Sequence, residues 1–304
     1  MTDRVLTLRE LNRAALARQM LLDRASIPAP EAVEHLVGLQ AQQPQSPFLT
    51  LWTRLQNFQR DDLARLIENR SIIKATMMRA TLHLFTAADY VRLRGAIQPA
   101  LDRSYASIAK QHGGKLNIDH ILSIAKPYIM EQPRSFAGIS AMFSELMPDI
   151  DIGAIRYTVR MYFPMVQVPN HSQWSYPGNP TFTPAETWLG QSIPMENNLQ
   201  TLVFRYLAAF GPASVADIQR WSGLAGLKSA VESFKSELVT YRDEQKRELL
   251  DLPTLPIPDA DTPAPVRFLP DFDNLLIAYD KRTRIIADEY RSRVYLSAAR
   301  VEAT

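Results

Sequence analysis

The chain has 304 residues, 46% hydrophobic and 22% charged, an ordinary globular composition long enough for two or three modules. It has no cysteine, which excludes disulfides, thiolate metal sites and a cysteine nucleophile; its five histidines (His35, His83, His112, His120, His171) show no H-x-x-x-H spacing, which argues against a structural zinc site. A net charge of +2 and a pI near 8.8 are only mildly basic, and neither a leader peptide nor a membrane span is visible, so an intracellular soluble protein is expected.

In chain order, Thr7 and Glu10 form a capping box before the apolar positions Leu8, Leu11 and Ala15. Pro30 opens a second helix whose apolar face is Val33, Leu36 and Val37; the next position on that face is Gln40. An amide thus stands where the periodicity calls for a core residue, and burying it unpartnered costs roughly 1–3 kcal/mol. Gln42 follows, before a proline that disfavours helix at Gln43. Pro47 opens a third helix with Phe48, Leu51, Trp52 and Leu55 inward, and a short fourth spans Asp61 to Ile67. The stretch Ile72 to Phe85 is β-rich, with Leu82 and Leu84 alternating against Thr81, His83 and Phe85. Helices followed by a hairpin is the order of a winged helix-turn-helix.

The same order returns twice. A second unit has a helix over Ile121 to Tyr128, one capped by Ser135 and running through Met147, and one from Asp151 carrying Ile152, Ile155 and Val159; the strand Met165 to Val168 and a turn at Pro177-Gly178-Asn179-Pro180 follow. A third has a helix on Leu199, Leu202, Val203, Tyr206 and Leu207, stopped by Gly211-Pro212. A second helix is capped by Ser214 to Asp217, and a third, on Leu227, Ala230, Val231, Phe234 and Leu238, leads into the strand Val239 to Tyr241. The Pro-rich stretch 253–265 reads as a loop or long wing tip. The expected fold is mainly α with small β-wings: three tandem winged helix-turn-helix modules over 1–115, 116–195 and 196–304.

Gln40 and Gln42 are the leading chemical candidates. On a helix, residues two apart point about 200° apart; in extended backbone they share a face. The two amides act together only if the helix ends at about Gln40. Two convergent amides can orient a water, since each accepts and donates, but neither is a general base near neutral pH, so the pair suits a substrate with a good leaving group. The plainer alternative is a polar helix exit with no role. Among the cations, arginine outnumbers lysine, which suits bidentate phosphate contact but also follows from a GC-rich genome. Arg156 and Arg160 lie four apart on the helix that a winged helix uses for recognition; Lys228 and Lys235 flank the third unit's apolar stripe. Lys281, Arg282 and Arg284 form a compact patch. Each set reads equally as a solvated face. Arg79 and His83, four apart on the first wing, share a strand face there, although a lone histidine is more often structural. Asp271, Asp273 and Asn274 are a weak metal signal; such residues more often cap a turn or orient an arginine. There is no Gly-rich phosphate loop, G-x-S-x-G or zinc motif.

Four blocks carry a resemblance: "LTLRELNRAALARQML", "LVGLQAQ", "MRATLHLFTAADY" and "FLPDFDNLLIAYDKRTRII", in order within about residues 5–286. Together they resemble the AlkZ/YcaQ-type bacterial DNA glycosylases, built from tandem winged helices. That family's catalytic motif is Gln-x-Gln in the AlkZ-like branch and Gln-x-Asp in the YcaQ-like branch; Gln40 and Gln42 match the first. The resemblance implies hydrolysis of the N-glycosidic bond of bulky N7-alkylated purines, including interstrand crosslinks, in self-resistance to a DNA-alkylating natural product. N7-alkylation makes the base cationic, so it departs without an added proton, and amides suffice to place water at C1′ beside an oxocarbenium-like centre. The absence of the branch aspartate implies weak action on undamaged DNA.

The expected site is therefore Gln40 and Gln42 as catalytic residues, with DNA contacts from Arg79, His83, Arg156, Arg160, Lys281, Arg282 and Arg284. No metal or cofactor is expected. The expected partner is double-stranded DNA carrying alkylated purines, met by a cytoplasmic, nucleoid-associated monomer in a bacterium. Because the chain ends soon after its last family block, the third module is expected to be shortened, with its C-terminal wall of the DNA channel in doubt. Two rival functions remain: a non-enzymatic winged-helix regulator, and a lesion-binding resistance protein with little turnover.

Overall fold

The computed structural model describes residues 4–112, 116–297 and 300–301. The fold is mainly helical, and among the described residues the strands form sheets of six, three and two. The first helix, Leu8–Arg18, starts at the capping box expected: Thr7 Oγ1 accepts from Glu10 N and the Glu10 carboxylate accepts from Thr7 N. Just before it, Val5–Leu6 pairs in parallel with Val239–Asp243, so the start of the chain is a strand of the sheet that Val239–Asp243 and Glu248–Asp251 build more than 230 residues later.

The second helix stops sooner than its apolar periodicity predicts. It spans Ala29–His35 and is closed by Val37 N to Glu34 O (3.1 Å) and Gly38 N to Val33 O (3.0 Å). Val37 (φ 54°) and Gly38 (φ 81°) are both left-handed, a conformation that ends helices and that glycine adopts without penalty. The chain leaves as the short strand Leu39–Gln40, antiparallel to Leu82–Thr86, with Gln40 opposite His83. Gln40 is therefore on a sheet edge, not on a helix face.

That edge begins a six-stranded sheet. Next to Leu82–Thr86 lie Ile72–Thr76, then Met165–Gln167, Thr181–Pro184 and Arg134–Ser135. The pairing of Lys74 with Gln167 joins the hairpin of the first unit to the strands of the second in one continuous sheet. Helices Ile118–Glu131, Phe136–Leu146 and Ile152–Tyr162 enclose the second unit's own small core around Ile139, Phe143 and Ile155. Between the two units runs Ala87–Gln111, a 25-residue helix that the local pattern does not predict. Its Leu93, Ala96, Ile97, Ala100 and Leu101 are the spine of the largest core, shared with Tyr206, Phe210 and Trp221 of the third unit.

In the third unit, Leu199–Phe210 and Val215–Ser222 are close to expectation. The following helix, Leu227–Glu232, ends before Phe234 and a separate 3-10 turn covers Lys235–Glu237. The Pro-rich stretch is a loop held by Arg9 and Arg13 on the carbonyls of Ala260 and Thr262. After it come Asn274–Ile277, Arg291–Val294 and the hairpin Tyr295–Ser297 with Arg300–Val301. Residues 302–304, where the expectation of a shortened third module falls, lie outside the described residues. Among the described residues no helix is long and apolar enough to cross a membrane, and no group of three or more metal-ligating side chains gathers.

Candidate active site

Gln40 is the last residue of the strand Leu39–Gln40, and Gln42 lies in the bend that follows it. The ladder continues one residue past the strand, with Ala41 N donating to Leu82 O at 2.8 Å. Gln40 is buried (6% exposed) and Gln42 exposed. Both line a cavity of about 1030 Å³ between this turn, the far half of the Ala87–Gln111 helix, the Val215–Ser222 helix and the segment after Phe272. Each amide oxygen is tied to a donor of the protein: Gln40 Oε1 accepts from Arg79 Nη2 at 2.6 Å, and Gln42 Oε1 from Leu82 N at 2.9 Å.

Arg79 does not share a strand face with His83, as its spacing predicts. It lies in the tight turn Met78–Ala80 at the hairpin tip, with Arg79 (φ 54°) and Ala80 (φ 57°) both left-handed. This turn bends the side chain back under the sheet edge. There the guanidinium donates to Gln40, to the carbonyl of Trp221, and at 3.4 Å each to Asn274 Oδ1 and His83 Nε2. Burial, and then the charges of Arg220 and Arg282, bring its pKa down to about 9, so it stays cationic at neutral pH. His83 has no exposed surface; Nδ1–H donates to Thr81 O at 3.1 Å, which leaves Nε2 as the acceptor facing Arg79. Both ring nitrogens are thus used by the neutral form, and burial with the nearby Arg79 charge lowers its pKa to about 3. His83 braces Arg79 from behind and does not reach the cavity wall.

Two residues of the "FLPDFDN" block, Asp273 and Asn274, serve this turn. Asp273 caps the Asn274–Ile277 helix and holds buried Arg54 bidentately at 2.8 Å on both sides. Asn274 bridges the two halves of the site: its Nδ2 donates to Gly38 O at 3.0 Å while its Oδ1 receives Arg79.

The cations divide. Arg282 lines the cavity, stacked 4.1 Å over the Tyr295 ring. Three more arginines that sequence reasoning passed over join it: Arg103, from the unforeseen long helix, Arg220 and Arg291. Facing these is a single lining carboxylate among the described residues, that of Asp280. Lys281 is exposed outside the cavity. Arg284 is a correction: it is buried (4% exposed), donates to Pro212 O at 2.7 Å and lies over Tyr279, so it knits the core and cannot meet a phosphate. Arg160 is likewise turned inward, to Thr76 Oγ1 at 3.2 Å and Ala80 O at 3.4 Å, where it props the Arg79 turn. Arg156 is exposed on the same helix but lines only a small separate hollow. Lys235 pairs with Glu248 at 3.0 Å.

The arrangement is two oriented amides in an arginine-rich cavity, with Asp280 its single lining carboxylate among the described residues. It can hold a polyanion and position water or a polar group. A family model described as "DNA glycosylase AlkZ-like" matches residues 33–304. In fold the chain is similar to the solved Streptomyces sahachiroi DNA glycosylase AlkZ, at 20% identity over 98% of this chain and 85% of that one, with a TM-score of 0.77. No curated protein matches the chain in sequence.

Proposed function

The chain belongs to the AlkZ-like DNA glycosylase family, and from that premise we propose that it hydrolyses the N-glycosidic bond of bulky N7-alkylated purines in duplex DNA, using Gln40 and Gln42. The observation that carries this is the pair itself: two amides, one at the end of a strand and one in the bend after it, that line the same arginine-rich cavity. Water held by the amides attacks C1′. The C1′–N9 bond breaks, its electron pair discharges the positive charge left on the purine by N7-alkylation, and the spare proton of the water passes to solvent. The leaving group needs no protonation, so no acid is required. Arg103, Arg220, Arg282 and Arg291 take the phosphates around the lesion, with Lys281 and Arg156 as outlying contacts.

We read the chain as three tandem winged helices over 1–115, 116–195 and 196–304, each a set of helices followed by strands, acting as a monomer that embraces DNA. Unhooking of interstrand crosslinks, protection of a producer of alkylating natural products, and a cytoplasmic, nucleoid-associated place in the cell belong to the same proposal.

The test is release of modified base from a duplex with N7-methylguanine and from a crosslinked duplex, against plain duplex, followed by detection of alkali-labile strands. Gln40→Ala and Gln42→Ala each lower the release rate about 100-fold, and Arg220→Gln lowers the salt slope of duplex binding by about 0.9. Undiminished release by both amide variants refutes the site. Tight binding to adducts without abasic strands makes the protein a lesion binder instead.

A further inference from the structure

We propose that Arg79 is a positioning residue that holds the Gln40 amide with its oxygen away from the reacting atoms, so that Gln40 serves the cavity as a hydrogen-bond donor. The proposal rests on the glycosylase function above and assigns a direction to its first amide.

The direction follows from what Arg79 can offer. A guanidinium has five N–H donors and no acceptor, so the amide atom 2.6 Å from Arg79 Nη2 is Oε1. The planar amide then turns Nε2 the other way, and Nε2 makes no hydrogen bond with the described residues. Arg79 itself has little freedom to release the oxygen. Its backbone is left-handed, its other terminal nitrogen is engaged by Trp221 O, and Asn274 and His83 face the same guanidinium nitrogen that holds Gln40. Gly223 packs so closely that a Cβ there would lie 3.1 Å from Arg79 Cα. A charge-assisted bond on the oxygen also draws electrons from the amide and strengthens its N–H donors.

Gln42 repeats the pattern. Its oxygen is held by a backbone N–H, which can only donate, so its Nε2 is the freer end as well. The two amides are oriented in the same sense by two donors three residues apart on one hairpin, Arg79 and Leu82. A donor at Gln40 grips water through one of its lone pairs and leaves the other to attack C1′, or grips an acceptor of the nucleotide itself. In neither case does Gln40 take a proton.

Replacing Gln40 by glutamate separates donor from acceptor at constant shape. The carboxylate keeps an oxygen on Arg79 and puts a second oxygen where Nε2–H stood. The experiment measures single-turnover release of 7-methylguanine, duplex affinity, thermal melting and the side-chain amide NMR signals for the full chain and for Gln40→Glu, Arg79→Gln and Arg79→Lys. Expected is a rate about 100-fold lower for Gln40→Glu. Arg79→Gln, which frees the amide to rotate, slows the step about tenfold with duplex affinity within about threefold of the parent, and Arg79→Lys recovers part of that loss. The Gln40 amide signals, identified by their disappearance in Gln40→Glu, move in Arg79→Gln. A Gln40→Glu protein as fast as the parent, or an Arg79→Gln protein that loses affinity at unchanged rate, overturns the proposal. A parent chain that releases no base refutes the glycosylase function instead; the amide signals then decide the Arg79–Gln40 tie, and signals unmoved in Arg79→Lys and Arg79→Gln overturn it.

Discussion

Asp273→Ala is the most informative single perturbation of the scaffold under the site. Asp273 is 2% exposed and Arg54 is 1% exposed, and the carboxylate meets the guanidinium through two bonds of 2.8 Å. Removing the carboxylate leaves a buried charge with only the weaker contacts to Thr50 O and Gln19 Oε1, both at 3.2 Å. Breaking a buried pair in this way costs about 3–5 kcal/mol, and the lost cap on Leu275 N (3.0 Å) adds about 1 kcal/mol. With an unfolding entropy of about 2.1 cal/mol/K per residue, a chain of this length shifts its Tm by about 1.6 °C per kcal/mol. Differential scanning calorimetry is therefore expected to show a Tm lower by about 6–9 °C for Asp273→Ala. Asp273→Asn, which keeps the cap, falls less. The double variant Arg54→Met with Asp273→Leu recovers most of the loss, because no charge remains to be stranded. A double variant as unstable as Asp273→Ala alone would refute the charge-stranding explanation.

Two further outcomes follow from the same turn. The folded pKa of His83, about 3, lies below its unfolded value of 6.5, so the unfolded chain takes up the proton first as pH falls. The stability this residue contributes is complete above about pH 6.5 and is lost toward pH 3, at up to about 1.4 kcal/mol per pH unit; melting from pH 7.5 to pH 4.5 is steeper for the parent than for His83→Gln, and parallel curves would contradict the neutral buried ring. Gly38→Ala forces a β-carbon into a left-handed position (φ 81°) and within 2.5 Å of the Phe85 ring. A loss of about 2–4 kcal/mol is expected in denaturant titration, with slower base release because Gln40 lies two residues on; a protein of parental stability would show that the turn adapts.

Val33, Leu36 and Val37 set a helical stripe that runs on to Gln40, yet the helix ends at His35. The stop was legible in Gly38, a residue type that ends helices; the strand that follows was not, because Leu39–Gln40 is a strand only by pairing with residues about 40 positions away. Arg79 and His83 were legible as neighbours by spacing, but their meeting depends on the left-handed turn and not on a shared strand face. Arg284 and Arg160 looked like members of cationic surfaces because charge is visible in sequence and orientation is not.

By itself the sequence determined what depends on near neighbours. The capping boxes at Thr7 and Ser214, the succession of helices and hairpins, and the two-residue spacing that lets Gln40 and Gln42 share a face once extended are all local consequences of side-chain chemistry and backbone propensity. Only the tertiary structure decided which way the amides point and what surrounds them. Arg79, Trp221, Asn274 and the lining arginines come from segments as far apart in the chain as Arg79 and Arg291, brought together by burial of the long helix and its partners. Hydrophobic burial is non-directional, so no local pattern records which distant donor meets Gln40, and that donor sets the direction of its amide.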